Sequence, residues 1–226
     1  MHEGAKKPAD RKIHQLVDLF LLLIPEQAYD IAPTPSKFEL ESYTSAGSAY
    51  IASKVLSHHA ASEFMATHSP HFDLIRTLPG YVQGGNEVVT SADDLVRGSS
   101  EGTINTALGN VIPRPKPANQ VLLDDVARAH MLALDKSKVQ EGQNLVLVGG
   151  NGAGWKWDEF VPYIEDMYSA EIAKGIFKPR KGQKVYDNAF DIAESEKSLA
   201  FKFAGPREMV KSVLDSYLQL LGKAQQ

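Results

Sequence analysis

Apolar residues recur at steps of three and four along the segment that follows Tyr50, which places them on one face of an α-helix. The apolar members of this face are Ile51, Val55, Leu56, Ala60, Phe64 and Met65. Ser48 is a candidate N-cap, so the pattern predicts a helix that starts at Tyr50. Pro70 disfavours helical geometry in the residue before it, and we therefore expect the helix to end at His68–His71.

Short apolar runs predict buried strands elsewhere in the chain. Phe72–Leu78 and Leu145–Val148 are continuous apolar segments, as expected for parallel strands that are covered on both faces. Asn119–Leu123 is interpreted as a strand edge. Leu16–Ile24 is the most apolar run of the chain and is interpreted as a buried strand or helix.

Helical patterns lie between and after these strands. The predicted helices are Ala92–Val96, Asp125–Leu134, one from about Asp158 that carries Phe160, Ile164, Met167 and Tyr168, and Pro206–Leu221. Asp124 is a candidate N-cap of the helix Asp125–Leu134. The adjacent carboxylates Asp124 and Asp125 also suggest acid/base or metal chemistry, but negative charge is favourable at a helix N-terminus, so we favour a capping role.

The glycines from Gly149 to Gly154 follow a predicted strand and precede a helix, as in a dinucleotide-binding fingerprint. Counted from Gly150, however, the last glycine of the fingerprint is replaced by Trp155. The segment Gly175–Arg180 provides no second strand ending in an acidic residue. We therefore interpret this loop as a mobile surface loop.

Composition limits the functional classes. The chain has 226 residues, of which 43% are hydrophobic, enough for one globular domain. The net charge of −4, with both signs interspersed, argues against nucleic acid as a partner. The absence of cysteine excludes disulfides and thiolate metal sites, and the adjacent His58 and His59 lack the spacing of a metal site, so no metal is predicted.

The apolar run near the start does not predict a membrane protein. It is shorter than the about 20 residues that a bilayer span requires, and Asp18 interrupts it. It also lacks the small residues of a signal-peptide cleavage site, since Pro25-Glu26-Gln27 follows it. We expect a cytoplasmic protein with no membrane partner.

Tyr50 and Lys54 are the strongest candidates for chemistry. Residues four apart lie on the same face of a helix, so a phenol and an ammonium would be neighbours. A nearby positive charge lowers the pKa of a phenol from about 10, which lets its oxygen exchange a proton with a carbonyl or an alcohol. The alternative is an ordinary amphipathic helix with an exposed lysine and a half-buried tyrosine.

The sequence Ala49-Tyr50-Ile51-Ala52-Ser53-Lys54 resembles the active-site helix of the extended short-chain dehydrogenases/reductases. The most similar branch is the NAD-dependent epimerase/dehydratase family, with its dihydroflavonol, cinnamoyl-CoA and fungal aldehyde reductases. Three further landmarks follow in the family's order, and the resemblance covers roughly residues 40 to 220. They are Phe72–Gly84, Val121–His130 and Leu145–Val148.

The resemblance implies a Rossmann-like parallel sheet with flanking helices, incomplete at the N-terminal side, and a small C-terminal substrate-capping region. In one α/β domain, residues 1–48 would be the remnant of the nucleotide-binding half, 49–148 the active-site helix and sheet, and 149–226 the mainly helical C-terminal region. The family's glycine-rich turn is missing, since the only glycines before Ser48 are Gly4 and Gly47.

The resemblance also implies an NAD(P)-dependent oxidoreductase that reduces a small aldehyde or ketone, with NADP or NAD as cofactor. Tyr50 and Lys54 would be catalytic and would contact the cofactor. Pro79, Gly80, Tyr81 and Val82 would contact it as well, although an ordinary strand-to-loop turn is the alternative for these four. Residues 84–109 would form part of the substrate pocket. The family's catalytic serine stays unassigned among Ser36, Thr44, Ser45 and Ser48.

Two alternatives remain open. The first is a truncated, inactive reductase homologue or partner-binding remnant. A sheet without its neighbouring strands exposes an edge, which predicts self-association into a homo-oligomer or poor solubility. The second is a lyase or isomerase that uses the Tyr-Lys pair without a redox cofactor.

Overall fold

The computed structural model describes residues 13–18, 46–186 and 189–223. Within these ranges the strands are β1 Ile13–Asp18, β2 Phe72–Pro79, β3 Tyr81–Gln83, β4 Lys116–Pro117, β5 Gln120–Leu122, β6 Asn144–Leu147 and β7 Val185–Tyr186. The helices are α1 Ala46–His68, α2 Ala92–Val96, α3 Glu101–Leu108, α4 Leu123–Ala133, α5 Val161–Met167, α6 Ser169–Ala173, α7 Ala193–Leu199 and α8 Pro206–Lys223. Short 3-10 turns occupy Gly150–Gly152 and Trp157–Glu159.

The central sheet is parallel, which confirms the predicted α/β class. Its described strands are ordered β1-β2-β6, and β2 is buried from Asp73 to Pro79. β3 pairs in parallel with β5, and β4 pairs in parallel with β7. The predicted strands Phe72–Leu78 and Leu145–Val148 are each correct to within one residue at either end.

Two hydrophobic clusters stabilise the molecule. One lies at the sheet, where Ile75, Val121, Leu145 and Leu147 pack with small residues of α4. The other lies among α2, α3, α5 and α8. Its fully buried large side chains are Trp157, Phe160, Phe177, Ile104, Ile164, Met209 and Leu214. The face of α8 that enters this cluster carries Met209, Val213, Leu214 and Tyr217.

α1 ends at His68, as Pro70 predicts, but it begins at Ala46. Ser48 therefore lies inside the helix, and the predicted N-cap is wrong. Ile51 and Ala52 are buried. On the same helix Ser62 Oγ accepts a hydrogen bond from Arg76 Nη2 of β2 at 2.8 Å.

Partial burial of His58 on α1 predicts that acidification destabilises the fold. Burial lowers the pKa of His58, and the charges of Arg76 and His59 lower it further. The unfolded chain then binds this proton more readily than the folded one, so the free energy of unfolding falls as the pH drops below about 6.5. Urea denaturation at pH 7.5 and pH 5.5 measures the loss. His58→Gln should reduce it, and an equal loss in that variant would contradict this explanation.

The predicted cap of α4 is also wrong. The helix follows directly from β5, its N-cap is Leu122, and no side chain caps it. Asp124 instead lies exposed in the first turn. Asp125 is buried and accepts a hydrogen bond from the backbone N–H of Ala204 at 2.6 Å. Asp125 therefore has a structural role, as predicted, but it binds the backbone of Ala204 and does not cap α4.

The glycine loop is packed against the protein, so its interpretation as a mobile surface loop is wrong. Gly149 and Gly152 are buried. Gly149 N–H donates to Gln120 O at 2.9 Å, and Gly152 O accepts from Phe190 N–H at 3.0 Å. No long helix follows the loop directly, since α5 begins only at Val161.

Most of the apolar run Leu16–Ile24 and the candidates Ser36, Thr44 and Ser45 lie outside the described residues. The run overlaps β1 at residues 16–18. Among the helices of the described residues, none is long and apolar enough to cross a membrane.

Candidate active site

Tyr50 and Lys54 are neighbours on α1, as their spacing predicts. Lys54 Nζ lies 5.3 Å from the centroid of the Tyr50 ring, a cation–π arrangement. Tyr50 is 39% exposed. Its hydroxyl makes no hydrogen bond within the described residues. The structure therefore provides an accessible phenol with a cation over its ring.

The pKa of Tyr50 is shifted in the direction opposite to that expected from the Tyr-Lys pair alone. Burial raises it above its ordinary value, and the neighbouring Tyr81 raises it further. Partial removal from water disfavours the charged phenolate, which raises the pKa. Tyr50 is consequently a neutral phenol at neutral pH, which makes it a proton donor.

The segment from Pro79 to Val82 connects the central sheet to β3. Pro79 ends β2, Gly80 is buried, and Tyr81 and Val82 are half-buried in β3. A side chain at position 80 would place its Cβ 1.9 Å from Asn119 O. Only glycine allows β3 to lie this close to the segment that precedes β5.

An ion pair lies next to Tyr81. Lys116 Nζ is 2.8 Å from Glu101 Oε2, and both side chains are 29% exposed. Burial raises the pKa of Tyr81, while Lys116 acts to lower it and Glu101 acts to raise it. The site therefore contains two phenols, Tyr50 and Tyr81, with an ammonium beside each.

A cavity of about 1120 Å³ lies next to β3. It is enclosed by residues 84–89, α2, the start of α4 and one face of α8, and it includes the carboxylates of Glu87, Asp94, Asp124 and Asp215. Val82 lines it, but Tyr50, Lys54 and Tyr81 do not. The cavity is thus adjacent to the candidate site and separate from its phenols. Within the described ranges, no group of three or more His, Asp or Glu residues is arranged to hold a metal ion.

Comparisons with known proteins identify relatives of this arrangement. No family model matches the chain. The chain is 31% identical over 176 residues to the ketoreductase CTB6 of Cercospora beticola, which covers 76% of this chain and 49% of that protein. It is 26% identical over 192 residues to the NAD-dependent epimerase/dehydratase ALT6 of Alternaria alternata, covering 78% of this chain and 51% of that protein.

The fold agrees with these sequence matches. The crystal structure of Gre2 from Candida albicans in complex with NADPH superposes with a TM-score of 0.64 at 17% identity, covering 94% of this chain and 60% of that one. The relatives are a ketoreductase and an NAD-dependent epimerase/dehydratase, as the resemblance to the extended short-chain dehydrogenases/reductases predicts. The chain spans about half the length of the curated relatives it matches.

Sequence reasoning missed the ion pair whose charges act on Tyr81. Glu101 begins α3 and Lys116 begins β4, and neither belongs to the motif that carries the resemblance. Their contact depends on how the segment between them folds back, and no local pattern predicts it. The third catalytic group remains unassigned, since the side chain of Ser48 and the other three candidates lie outside what the structure describes.

Proposed function

We propose that the chain carries the proton-transfer site of an NAD(P)-linked reductase acting on a small aldehyde or ketone. Tyr50 donates a proton to the carbonyl oxygen, and the ammonium of Lys54 contributes a positive charge to the site. The observation that carries the proposal is the accessible Tyr50 phenol with Lys54 Nζ 5.3 Å from its ring centroid. The relatives support it, because CTB6 is named a ketoreductase.

The residues of the site fit the nicotinamide end of such a cofactor. The Tyr50 hydroxyl is without a partner in the described chain, and the ammonium of Lys54 lies over the Tyr50 ring. Ribose hydroxyls accept hydrogen bonds from donors of this kind. Pro79, Gly80, Tyr81 and Val82 follow the carboxyl end of β2, where open α/β sheets bind their ligands. The cofactor, when bound, supplies the hydride.

The protonation state of Tyr50 suits the proton transfer of a reduction. A reduction adds one hydride to the carbonyl carbon and one proton to the oxygen, so the protein must provide an acid. Burial and Tyr81 raise the pKa of Tyr50, which keeps its proton in place at neutral pH. A protonated Tyr50 therefore supplies the acid that reduction of a carbonyl requires.

NADPH binding tests the proposal most directly. Fluorescence titration of the purified chain should show saturable binding that Lys54→Ala weakens by about tenfold, as expected for one charge-assisted hydrogen bond. Lys138→Ala is a matched control, because this exposed lysine pairs with Asp135 away from the site. A circular dichroism melt verifies that each variant is folded. A folded chain that does not bind NADPH would overturn the proposal.

A non-catalytic homologue that binds a partner is the second candidate. Its supporting observation is that no glycine-rich turn occurs among residues 1–48, where the only glycines are Gly4 and Gly47. Such turns hold the pyrophosphate of a dinucleotide. Analytical ultracentrifugation distinguishes the two candidates, since a self-associating chain without NADPH affinity supports this alternative. A Tyr50-dependent lyase or isomerase activity without nicotinamide would support the third possibility.

A further inference from the structure

Basic side chains cluster on the surface after α6. Between positions 174 and 184 the chain has five basic residues and no acidic one. All five are exposed, and none makes an ion pair within the part of the chain that the structure describes. Arg97, Lys138 and Lys197, by contrast, each contact a carboxylate. The five unpaired cations are Lys174, Lys178, Arg180, Lys181 and Lys184. They make this surface positive on a chain whose net charge is −4.

Backbone hydrogen bonds hold this basic segment against the end of α3. The N–H groups of Lys178 and Arg180 donate to Ala107 O at 2.8 Å and to Thr106 O at 3.0 Å. Phe177, directly before Lys178, is fully buried and anchors the segment in the hydrophobic cluster around α8. The exposed cations are therefore carried by a backbone whose position is fixed by the protein itself.

A sixth cation lies beside the basic segment. Gln183 Nε2 donates to Asn110 O at 2.5 Å, and Lys116 N–H donates to Lys184 O at 3.3 Å. These two contacts align residues 110–116 with the end of the segment. Arg114 lies between them in the chain, is exposed, and makes no ion pair within the described ranges. The positive surface therefore extends from the segment onto its neighbour.

Exposed apolar side chains lie among these cations. Ile176 is 37% exposed and stands between Lys174 and Lys178 in the chain. Val111 is 60% exposed, and Tyr186 of β7 is 36% exposed. We call the six cations and these three side chains the basic face. Cations beside exposed apolar groups are typical of protein surfaces that lie on anionic lipid, where the charges meet headgroups and the apolar groups enter the interface.

The basic face is an open surface, which indicates a flat partner. None of its residues lines the cavity described above. Cations on an open surface suit an extended array of negative charges better than one small anion, which needs a pocket. Asp158 adds a negative charge here, since it accepts a hydrogen bond from Gly182 N–H at 2.8 Å, but the six cations exceed it. Nucleic acid is a less suitable array, because bases stack on aromatic rings and Ile176 and Val111 provide none.

We propose that the basic face attaches the chain reversibly to membranes that contain anionic lipids. The six cations bind the anionic headgroups, and Ile176 and Val111 enter the interface. The expectation of no membrane partner rests on the lack of a spanning segment, and peripheral attachment does not require one. The Debye length is about 8 Å at physiological ionic strength, so carboxylates elsewhere on the chain are screened from the lipid while the basic face is in contact with it. The inference does not depend on the proposed reductase function.

Sedimentation of the full chain with lipid vesicles tests this inference. Vesicles of phosphatidylcholine and phosphatidylserine at about 3:1 should bind the chain at least tenfold more strongly than vesicles of phosphatidylcholine alone at low salt. The binding should fall steeply at about 0.5 M NaCl, where the Debye length is much shorter. Lys178→Gln/Arg180→Gln/Lys181→Gln should weaken it about 100-fold, since each basic residue at an anionic surface contributes roughly fivefold.

A second triple variant provides the matched control. Arg97→Gln/Lys138→Gln/Lys197→Gln changes the net charge by the same amount, but at cations that contact carboxylates away from the basic face. It should bind the anionic vesicles within about twofold of wild type, because exposed ion pairs contribute little to long-range attraction. Circular dichroism melts verify that both variants are folded.

The apolar part of the basic face distinguishes lipid from other polyanions. Ile176→Ser should weaken binding to the anionic vesicles by roughly threefold, because the buried apolar area is lost, and it should leave any binding to duplex DNA unchanged. Equal binding to the two kinds of vesicle, an equal loss in the two triple variants, or tighter binding to duplex DNA than to the anionic vesicles would overturn the inference.

Discussion

Tyr50→Phe is expected to lower kcat for aldehyde or ketone reduction by about 10²- to 10⁴-fold, the usual contribution of a positioned general acid. The substitution removes one oxygen and keeps the ring over which Lys54 lies. NADPH affinity should therefore stay within about threefold of wild type, the effect of losing a fraction of one hydrogen bond. NADPH oxidation at 340 nm with a panel of small aldehydes measures the loss. Tyr186→Phe is the matched control, because Tyr186 is 36% exposed and lies in β7.

The pH profile of the wild-type chain separates a chemical role of Tyr50 from a structural one. Because the pKa of Tyr50 lies above its ordinary value of about 10, reduction should be insensitive to phenol ionisation through neutral pH. It should fall only as the pH passes above about 10 and the proton is lost. The residual activity of Tyr50→Phe should lack this alkaline limb. If Tyr50→Phe retains more than a tenth of the wild-type kcat, Tyr50 is not the proton donor.

The local features of the fold were predictable because local residues determine them. α2 has the predicted bounds, since Ser91 provides a cap whose Oγ accepts from Asp94 N–H at 3.2 Å. Pro70 ends α1 for an equally local reason. The predicted starts of α1 and α4 were wrong. Ser48 and Asp124 are residue types that often cap helices, but both lie inside the helices that the structure shows. A cap depends on where the preceding segment stops, and at α4 the strand β5 leads into the helix without one.

The candidate site was predictable only as far as its motif extends. The spacing of Tyr50 and Lys54 predicts their proximity, and the structure confirms it. The predicted direction of the Tyr50 pKa shift was wrong, because the shift depends on burial and on Tyr81, which is distant in sequence. The Glu101–Lys116 pair joins two elements whose approach no pattern encodes. Motifs thus predict contacts within an element, whereas the electrostatics of a site depend on the packing between elements.

Gly154→Ala is expected to reduce the free energy of unfolding by about 2–5 kcal/mol, the sum of left-handed strain and overpacking. Gly154 has φ +63, and a Cβ there would lie 1.3 Å from Ala118 O. The backbone would have to move away from the segment that leads into β5. Urea denaturation measures the change. This loss would show that the glycine is required by close packing.

Gly150→Ala isolates the effect of the close approach. Gly150 also has positive φ, at +60, but the nearest atom to its Cβ would be a ring carbon of Trp155 at 3.3 Å. Its substitution should reduce stability by only the about 1–2 kcal/mol of left-handed strain. Equal losses in the two variants would contradict the packing argument.

The same variant tests whether the glycine loop binds a phosphate. If the loop bound a phosphate, Gly150→Ala would weaken NADPH binding without a comparable loss of stability. We expect unchanged NADPH affinity, because the N–H groups of Gly149, Gly152 and Gly154 already donate to Gln120 O and Gly149 O within the protein. Backbone groups that are satisfied in this way are not free to hold a pyrophosphate, so a glycine-rich sequence after a strand does not by itself make a nucleotide site.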